Sequence, residues 1–415
     1  MAKEIAIPWG AWTGGKEATD LEFPDSWDVQ VFRMRDAPDI TDKATIQRAI
    51  RNPIGSPPIK SIAAGKPNAV IAVEDISRPI QCKDICETII GELNEAGIPD
   101  GRITLIGALG AHRPMIRADY IKKVGENVVD RINVENHHPY ENLVNIGTSK
   151  KGTPIFINKT YHDAAVKIAV GTVAPHPLAG FGGGAKVILP GICGIDTLEA
   201  NHKAGLRGIG IGLGFITDLR KDIEDVCSKA GLDFSVNVVT TSRRGIAGVH
   251  AGHFIDAHRK AVEQALQVYH TDIPKLPPKD RFSAGFFNMY PEDTELSQAS
   301  GKGTNAFIGA QSLFQRKAAV IIMTAAPEGR GFHSLQGETG GRLYQNFGDN
   351  ILYKAVMESH PLYIYSQNVS KADVHHFFPE RTTLHKEFNR LVEGVENIVG
   401  PSPKVALFPA SIQLF

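Results

Sequence analysis

"PNAVIAVEDISRPIQCKDICETIIGELNEAGIPDGRITLIGALG", residues 67–110, decides the fold class. PNAVIAVED is a short apolar run closed by acids, and it reads as a buried strand. CKDICETIIGELNEAG repeats apolar residues at helical spacing and stops on a glycine, so a helix is expected there. RITLIGALG reads as a second buried strand. Strand, helix and strand in this order make a crossover unit of a parallel sheet. The alternation continues with a strand at AVKIAVGTV (165–173), a helix at TDLRKDIEDVCSKAG (217–231), a strand at FSVNVVTT (234–241) and a helix at DAHRKAVEQALQVY (256–269). HTDIPKLPPKDRF (270–282) interrupts it with three prolines and several charges, as a linker does. It then restarts: RFSAGFFNM as strand, a helix over 292–314, KAAVIIMTAA and PLYIYSQ as strands, a helix over 385–399 and a strand at KVALFPAS. The expected architecture is α/β: two α/β domains with mainly parallel sheets, residues 1–274 and 275–415, and a cofactor and substrate cleft between them.

Composition narrows the class. The 415 residues carry 45 basic and 45 acidic side chains and 42% apolar residues. A net charge of zero without long runs of one sign argues against a nucleic-acid surface. No stretch reaches the ~20 apolar residues of a membrane helix, so no membrane partner is expected. The opening MAKEIAIPWGAWTGG lacks an apolar core followed by a small-residue cleavage site and is not expected to be a secretory signal. Four scattered cysteines suit a reducing cytoplasm. Cys82 and Cys86 stand one helical turn apart; packing is the simpler reading than a metal.

In open α/β sheets, functional residues collect past the carboxyl ends of strands. Three expected strands end this way. AVIAVE leads to Asp75, Ser77 and Arg78; ITLIGALG to Ala111, His112, Arg113 and Pro114; KIAVGTV to Ala174, Pro175, His176 and Pro177. After the last comes AGFGGGAKVILPG, with Gly182, Gly183, Gly184 and Lys186, and then His202 in EANHKAG. The glycine stretch is not a nucleotide P-loop, because Val187 stands where a magnesium-binding hydroxyl is required. Nor does it form the dinucleotide G-x-G-x-x-G turn. It reads either as a plain turn with a solvated lysine or as a backbone bare enough for a bulky planar group to approach the lysine or bond to it. His137, His138, His162, His375 and His376 read as ordinary loop or surface residues. Arg78 can clamp a carboxylate through its planar fork. Two histidines can serve as acid and base on opposite faces of a substrate, and a third can bind a metal. The residues by themselves point to a proton-transferring enzyme for a small carboxylate.

Five stretches carry a family resemblance: EDISRP (74–79), GALGAHRP (107–114), GTVAPHPLAGFGGGAKVILPG (171–191), NH (201–202) and YPEDTELSQA (290–299). With them the chain resembles the nickel-dependent lactate racemase family. The resemblance implies a nickel-pincer nucleotide, a pyridinium mononucleotide with two sulfur-containing arms around nickel, joined to Lys186 as a thioamide. It implies His202 as a nickel ligand, His112 and His176 as the acid/base pair, and Arg78 on the substrate carboxylate. Asp75, Ser77 and the three glycines would serve the cofactor site, with Ser77 where the family has threonine. The implied partners are a 2-hydroxy acid and the enzymes that make the cofactor. The implied chemistry is inversion at C2: the hydroxyl proton goes to one histidine and hydride to the cofactor, a planar keto acid forms, and both return on the other face. On the YPEDTELSQA helix the family's tyrosine, glutamine and lysine align with Ser297, Gln298 and Gly301, and Lys302 comes about 100° further round. Only the glutamine is kept, so a 2-hydroxy acid larger than lactate is expected. The rival readings are a metal-dependent sugar-acid or hydroxy-acid dehydratase or epimerase with Lys186 free, and a nucleotide-binding or metal-carrying protein without turnover.

Overall fold

The structure, a computed structural model, describes residues 3–13, 17–78, 80–205, 217–334 and 359–415. It forms two compact units, one of Ala37–Val268 and one of Met1–Asp36 with Tyr269–Phe415. Each is built on a six-stranded sheet.

In the Ala37–Val268 unit the strands lie in the order Ile246–Gly252, Phe234–Thr240, Lys167–Thr172, Ala69–Glu74, Ile103–Ala108, Asn133–Asn136. All neighbours are parallel except the outer Ile246–Gly252, which is antiparallel to Phe234–Thr240. All six residues of Ala69–Glu74 are buried, as a central parallel strand covered on both faces requires. Lys83–Glu95 is the helix between the first two strands, and it buries Ile85, Cys86, Ile89, Ile90 and Leu93. The chain runs outward from Ala69–Glu74 through Ile103–Ala108 to Asn133–Asn136. It then returns to the opposite side of Ala69–Glu74 with Lys167–Thr172. The carboxyl ends of Ala69–Glu74 and Lys167–Thr172 therefore flank the point where strand order reverses, the usual ligand position in such sheets.

The second unit has an all-parallel sheet in the order Thr383–His385, Leu362–Tyr365, Phe314–Met323, Phe282–Asn288, Lys404–Phe408, Asp28–Val31. Phe287 and Phe408 stack at 4.9 Å within a core that includes Phe282, Phe307 and Phe314. The other face packs Leu21, Phe23 and Trp27 against Phe286 and Leu407. This corrects the expected boundaries: residues 1–36 belong with the C-terminal unit, not with residues 37–268. Asp28–Val31 extends that unit's sheet beside Lys404–Phe408, and Phe23 meets Phe286 edge to face at 5.3 Å. No helix among the described residues is long and apolar enough to cross a membrane.

Candidate active site

Three of the strand ends named from sequence meet at the reversal point. Asp75 follows Ala69–Glu74 and is buried. Its Oδ2 lies 2.7 Å from His112 Nδ1, and its Oδ1 accepts the Ser77 backbone N–H at 2.7 Å. Ser77 Oγ lies 3.2 Å from the same His112 nitrogen. Burial opposes ionisation of Asp75, but His112 outweighs it, with Arg78 and Ser77 adding to the effect. The carboxyl is held well below the usual carboxylate range. Arg78 is half-buried immediately after the Ile76–Ser77 turn; Pro79 lies outside the described residues.

The loop is tied to the sheet from beneath. Lys123, fully buried, donates to the Arg78 carbonyl at 3.2 Å and pairs with Glu74 at 3.3 Å. Glu74 in turn accepts the Thr172 N–H at 2.7 Å and its hydroxyl. One buried ion pair thus joins both strands at the reversal point to the backbone of Arg78. Sequence reasoning passed over Lys123, because a lysine in a charged helical turn reads as solvated.

His176 lies in a short antiparallel pairing with Gly180, on the same loop as Lys186. Its Nδ1 accepts the N–H of Leu178 at 3.2 Å and of Ala179 at 3.1 Å. The glycine loop follows. Gly183 has φ +70°, and a Cβ there would stand 2.7 Å from Val173 Cγ2; at Gly182 one would stand 2.6 Å from the Thr172 carbonyl oxygen. A Cβ on Gly184 would meet the Phe254 carbonyl oxygen at 3.0 Å. The first reason for these glycines is therefore close packing on the protein itself, which spacing in the sequence did not reveal. Their carbonyls are held by two buried residues that sequence also missed. Arg220 donates to Gly183 O at 3.2 Å and to Phe181 O at 3.4 Å, and His258 Nε2 lies 2.8 Å from Gly182 O. Lys186, half-buried, stands on the 3-10 turn Gly184–Val187 that this cradle supports.

His202 sits on the helix Ile195–Gly205. Its neighbour Asn201, buried, donates to Asp222 at 2.9 Å and fixes that helix against Asp218–Ala230. His202 Nδ1 donates to the Leu198 carbonyl at 2.7 Å, which leaves the lone pair on Nε2. Loss of solvent pushes its pKa down to about 4, with the charge of Lys186 and then His112 contributing. A neutral imidazole oriented by a carbonyl on its other nitrogen is the form in which histidine binds metals. Among the described residues no group of three or more His, Cys, Asp and Glu side chains is placed to hold a metal ion. The rival reading, a metal held by His202 and carboxylates, has no such cluster there. Cys82 and Cys86 are both buried; burial pushes Cys82 up to about 12 and Cys86 well above its ordinary value, so both act as core thiols.

The structure thus links Asp75, Ser77, Arg78, His112, Lys186 and His202 through a chain of hydrogen-bonded or electrostatic pairs, with His176 on the Lys186 loop. The same region is the one that known proteins share. Residues 14–210 match the lactate racemase N-terminal domain.

Over these residues the chain is similar to the lactate racemase family.

Lactate racemase of Lactiplantibacillus plantarum is 29% identical over 315 residues, which cover 75% of this chain and 70% of that one. Lactate racemase of Thermoanaerobacterium thermosaccharolyticum is 28% identical over 335 residues, 79% and 75% of the two chains. The structure of the lactate racemase apoprotein from T. thermosaccharolyticum superposes with a TM-score of 0.77 at 23% identity, covering 100% of this chain and 99% of that one. A Thermotoga maritima protein superposes with a TM-score of 0.65 at 16% identity, covering 91% and 99%. These two likenesses concern the fold. The two curated relatives are racemases by name.

Ser297, Gln298 and Gly301 lie in the other unit, on the helix Leu296–Gly309. Ser297 is buried and donates its hydroxyl to Glu295 at 2.6 Å. Gln298 is half-buried. Lys302 pairs with the buried Glu292 at 2.7 Å. Outside its own helix's backbone, a Cβ added at Gly301 would meet no atom of the described residues within 4 Å.

Proposed function

We propose that this protein inverts C2 of a 2-hydroxy acid larger than lactate, using a nickel-pincer nucleotide carried on Lys186. The observation that carries the reading is the fit of His202: a neutral imidazole, locked by Leu198 O, beside the Lys186 side chain. Nickel accepts imidazole nitrogen readily, and one protein nitrogen suffices when the other ligands come with an organic group. Lys186 would hold that group, and His202 would offer its Nε2 lone pair to the nickel. When bound, the group supplies a hydride acceptor and donor for C2 of the substrate.

The chain's own residues do the rest. Arg78 binds the substrate carboxylate through its guanidinium fork, with its backbone fixed by Lys123. His112 takes the hydroxyl proton, and the resulting imidazolium lies against the ionised Asp75. His176 serves the hydroxyl on the opposite face. Support for a larger tail comes from Ser297 and Gly301, which stand where the resembling racemases carry tyrosine and lysine.

The test is intact mass with nickel content, after co-production with the cofactor-making enzymes. The wild-type protein is expected to carry a covalent adduct and nickel. Lys186→Ala should carry neither and lose nearly all racemisation. Full activity in that variant would remove the covalent cofactor from the reading.

A further inference from the structure

The geometry points to fixed and opposite neutral tautomers at the two histidines, with the proton on Nδ1 in His112 and on Nε2 in His176. The inference deepens the racemase reading and rests on it for its catalytic meaning, but the contacts that carry it stand by themselves.

His112 Nδ1 is 2.7 Å from Asp75 Oδ2. A carboxylate is an acceptor only, so that nitrogen donates. Asp75 cannot turn away: its other oxygen accepts the Ser77 N–H at 2.7 Å, and the side chain is buried. Ser77 Oγ, 3.2 Å from the same nitrogen, then receives a share of that N–H. With the proton on Nδ1, neutral His112 keeps its lone pair on Nε2.

His176 is held the other way. Two backbone N–H groups, from Leu178 and Ala179, point at its Nδ1 from 3.2 and 3.1 Å. Backbone N–H groups only donate, so this nitrogen holds the lone pair and the ring proton is on Nε2. A proton on Nδ1 would face two donors.

The pair is therefore not interchangeable. His112 presents a proton acceptor to a substrate hydroxyl: the O–H bond breaks, an Nε2–H bond forms, and the new positive charge is balanced by Asp75. His176 presents a neutral N–H that hydrogen-bonds the substrate oxygen and keeps its proton, comparable to the neutral histidine electrophile of triosephosphate isomerase; the proton taken by His112 returns to that oxygen when the hydride has returned to C2. Asp75 is a positioning residue acting through His112.

The experiment is two-bond 15N–1H NMR on cofactor-free protein labelled with 15N-histidine, at mildly alkaline pH where the rings are neutral. His112→Gln and His176→Gln assign the two rings by loss of signal. His112 is expected in the Nδ1–H form, the rarer one for a free imidazole, and His176 in the Nε2–H form. Asp75→Ala should return His112 towards the Nε2–H form and leave His176 unchanged. If His112 is found in the Nε2–H form, or either ring averages between forms, the inference is overturned. Should Asp75→Ala not fold, the wild-type spectrum decides alone. These spectra do not depend on turnover, so absence of racemisation would count against the proposed function and not against the tautomers.

Discussion

Three histidines in one unit of this protein are held in three different ways, and the partner of a single ring nitrogen tells them apart. His112 Nδ1 faces a carboxylate, His176 Nδ1 faces two amides and His202 Nδ1 faces a carbonyl. Racemisation needs an acceptor on one face and a donor on the other. His112→Ala or His176→Ala should therefore each lower the rate in both directions by about 10²–10⁴-fold. Assays from either enantiomer check this, and a loss under about tenfold would return that residue to a structural role. His137 shows the contrast. It is buried, its Nε2 lies 2.9 Å from Cys193 O, and burial pushes its pKa down to about 4 despite that bond. Unfolded, the same ring titrates near its ordinary value of about 6.5. Between these values the unfolded chain binds a proton that the folded one does not. The stability this difference represents is intact above about pH 6.5 and is lost as pH falls to about 4, on the order of 3 kcal/mol in all. His137→Gln, whose amide can still reach Cys193 O, should flatten that decline. Urea midpoints measured across this range decide the point, and equal slopes in the two proteins would contradict it.

At the scale of elements, the glycines divide into those that packing demands and one that it does not. Gly183→Ala places a Cβ 2.7 Å from Val173 in a φ +70° conformation, so a loss of at least about 1 kcal/mol is expected. Gly301 lies inside a helix with open space around it, and Gly301→Ala should stabilise the fold by roughly 0.5–1 kcal/mol. Thermal unfolding of both variants checks the opposite signs. Such positions look alike in the sequence, and the same difference separates what was legible from what was not. Strands buried on both faces, such as Ala69–Glu74 and Lys167–Thr172, announce themselves as continuous apolar runs. Asp28–Val31 does not: it is four residues long, alternates polar with apolar, and gains its place only by pairing with Lys404–Phe408 from the far end of the chain. The antiparallel pair Lys3–Pro8 and Ala18–Phe23 is hidden for a different reason: it buries few of its residues, so no continuous apolar run marks it. The helix expected from residue 292 starts at Leu296, because Asp293 is spent accepting the N–H groups of Gly10 and Ala11. In the site, strand-end position exposed Asp75, His112 and His176. The buried supports Lys123, Arg220 and His258 sit in polar helical stretches, and nothing local distinguishes them from solvated charges.

For the whole molecule, the proposed function turns on which 2-hydroxy acid it would invert. The relatives are named lactate racemases, while the helix Leu296–Gly309 lacks the tyrosine and lysine of the family pattern. Lys302 does not replace that lysine in this structure: its ammonium is 2.7 Å from Glu292, a buried carboxylate that would lose its counter-charge if Lys302 swung away. Ser297 likewise spends its hydroxyl on Glu295. What remains at the aligned positions is Gln298 and the open space at Gly301. Without that tyrosine and lysine, the proposed reaction would orient a lactate-sized acid by fewer contacts, and hydride transfer depends steeply on orientation. A 2-hydroxy acid with a longer or hydroxylated tail would fill the space and recover that orientation. Cofactor-loaded protein assayed on 2-hydroxy acids of increasing length and polarity should therefore show kcat/KM rising beyond lactate. Gly301→Lys should reverse the order, by filling the space and restoring a positive charge. If lactate is the best substrate of the wild-type protein, Gly301 does not face the substrate, and the helix contributes to stability alone.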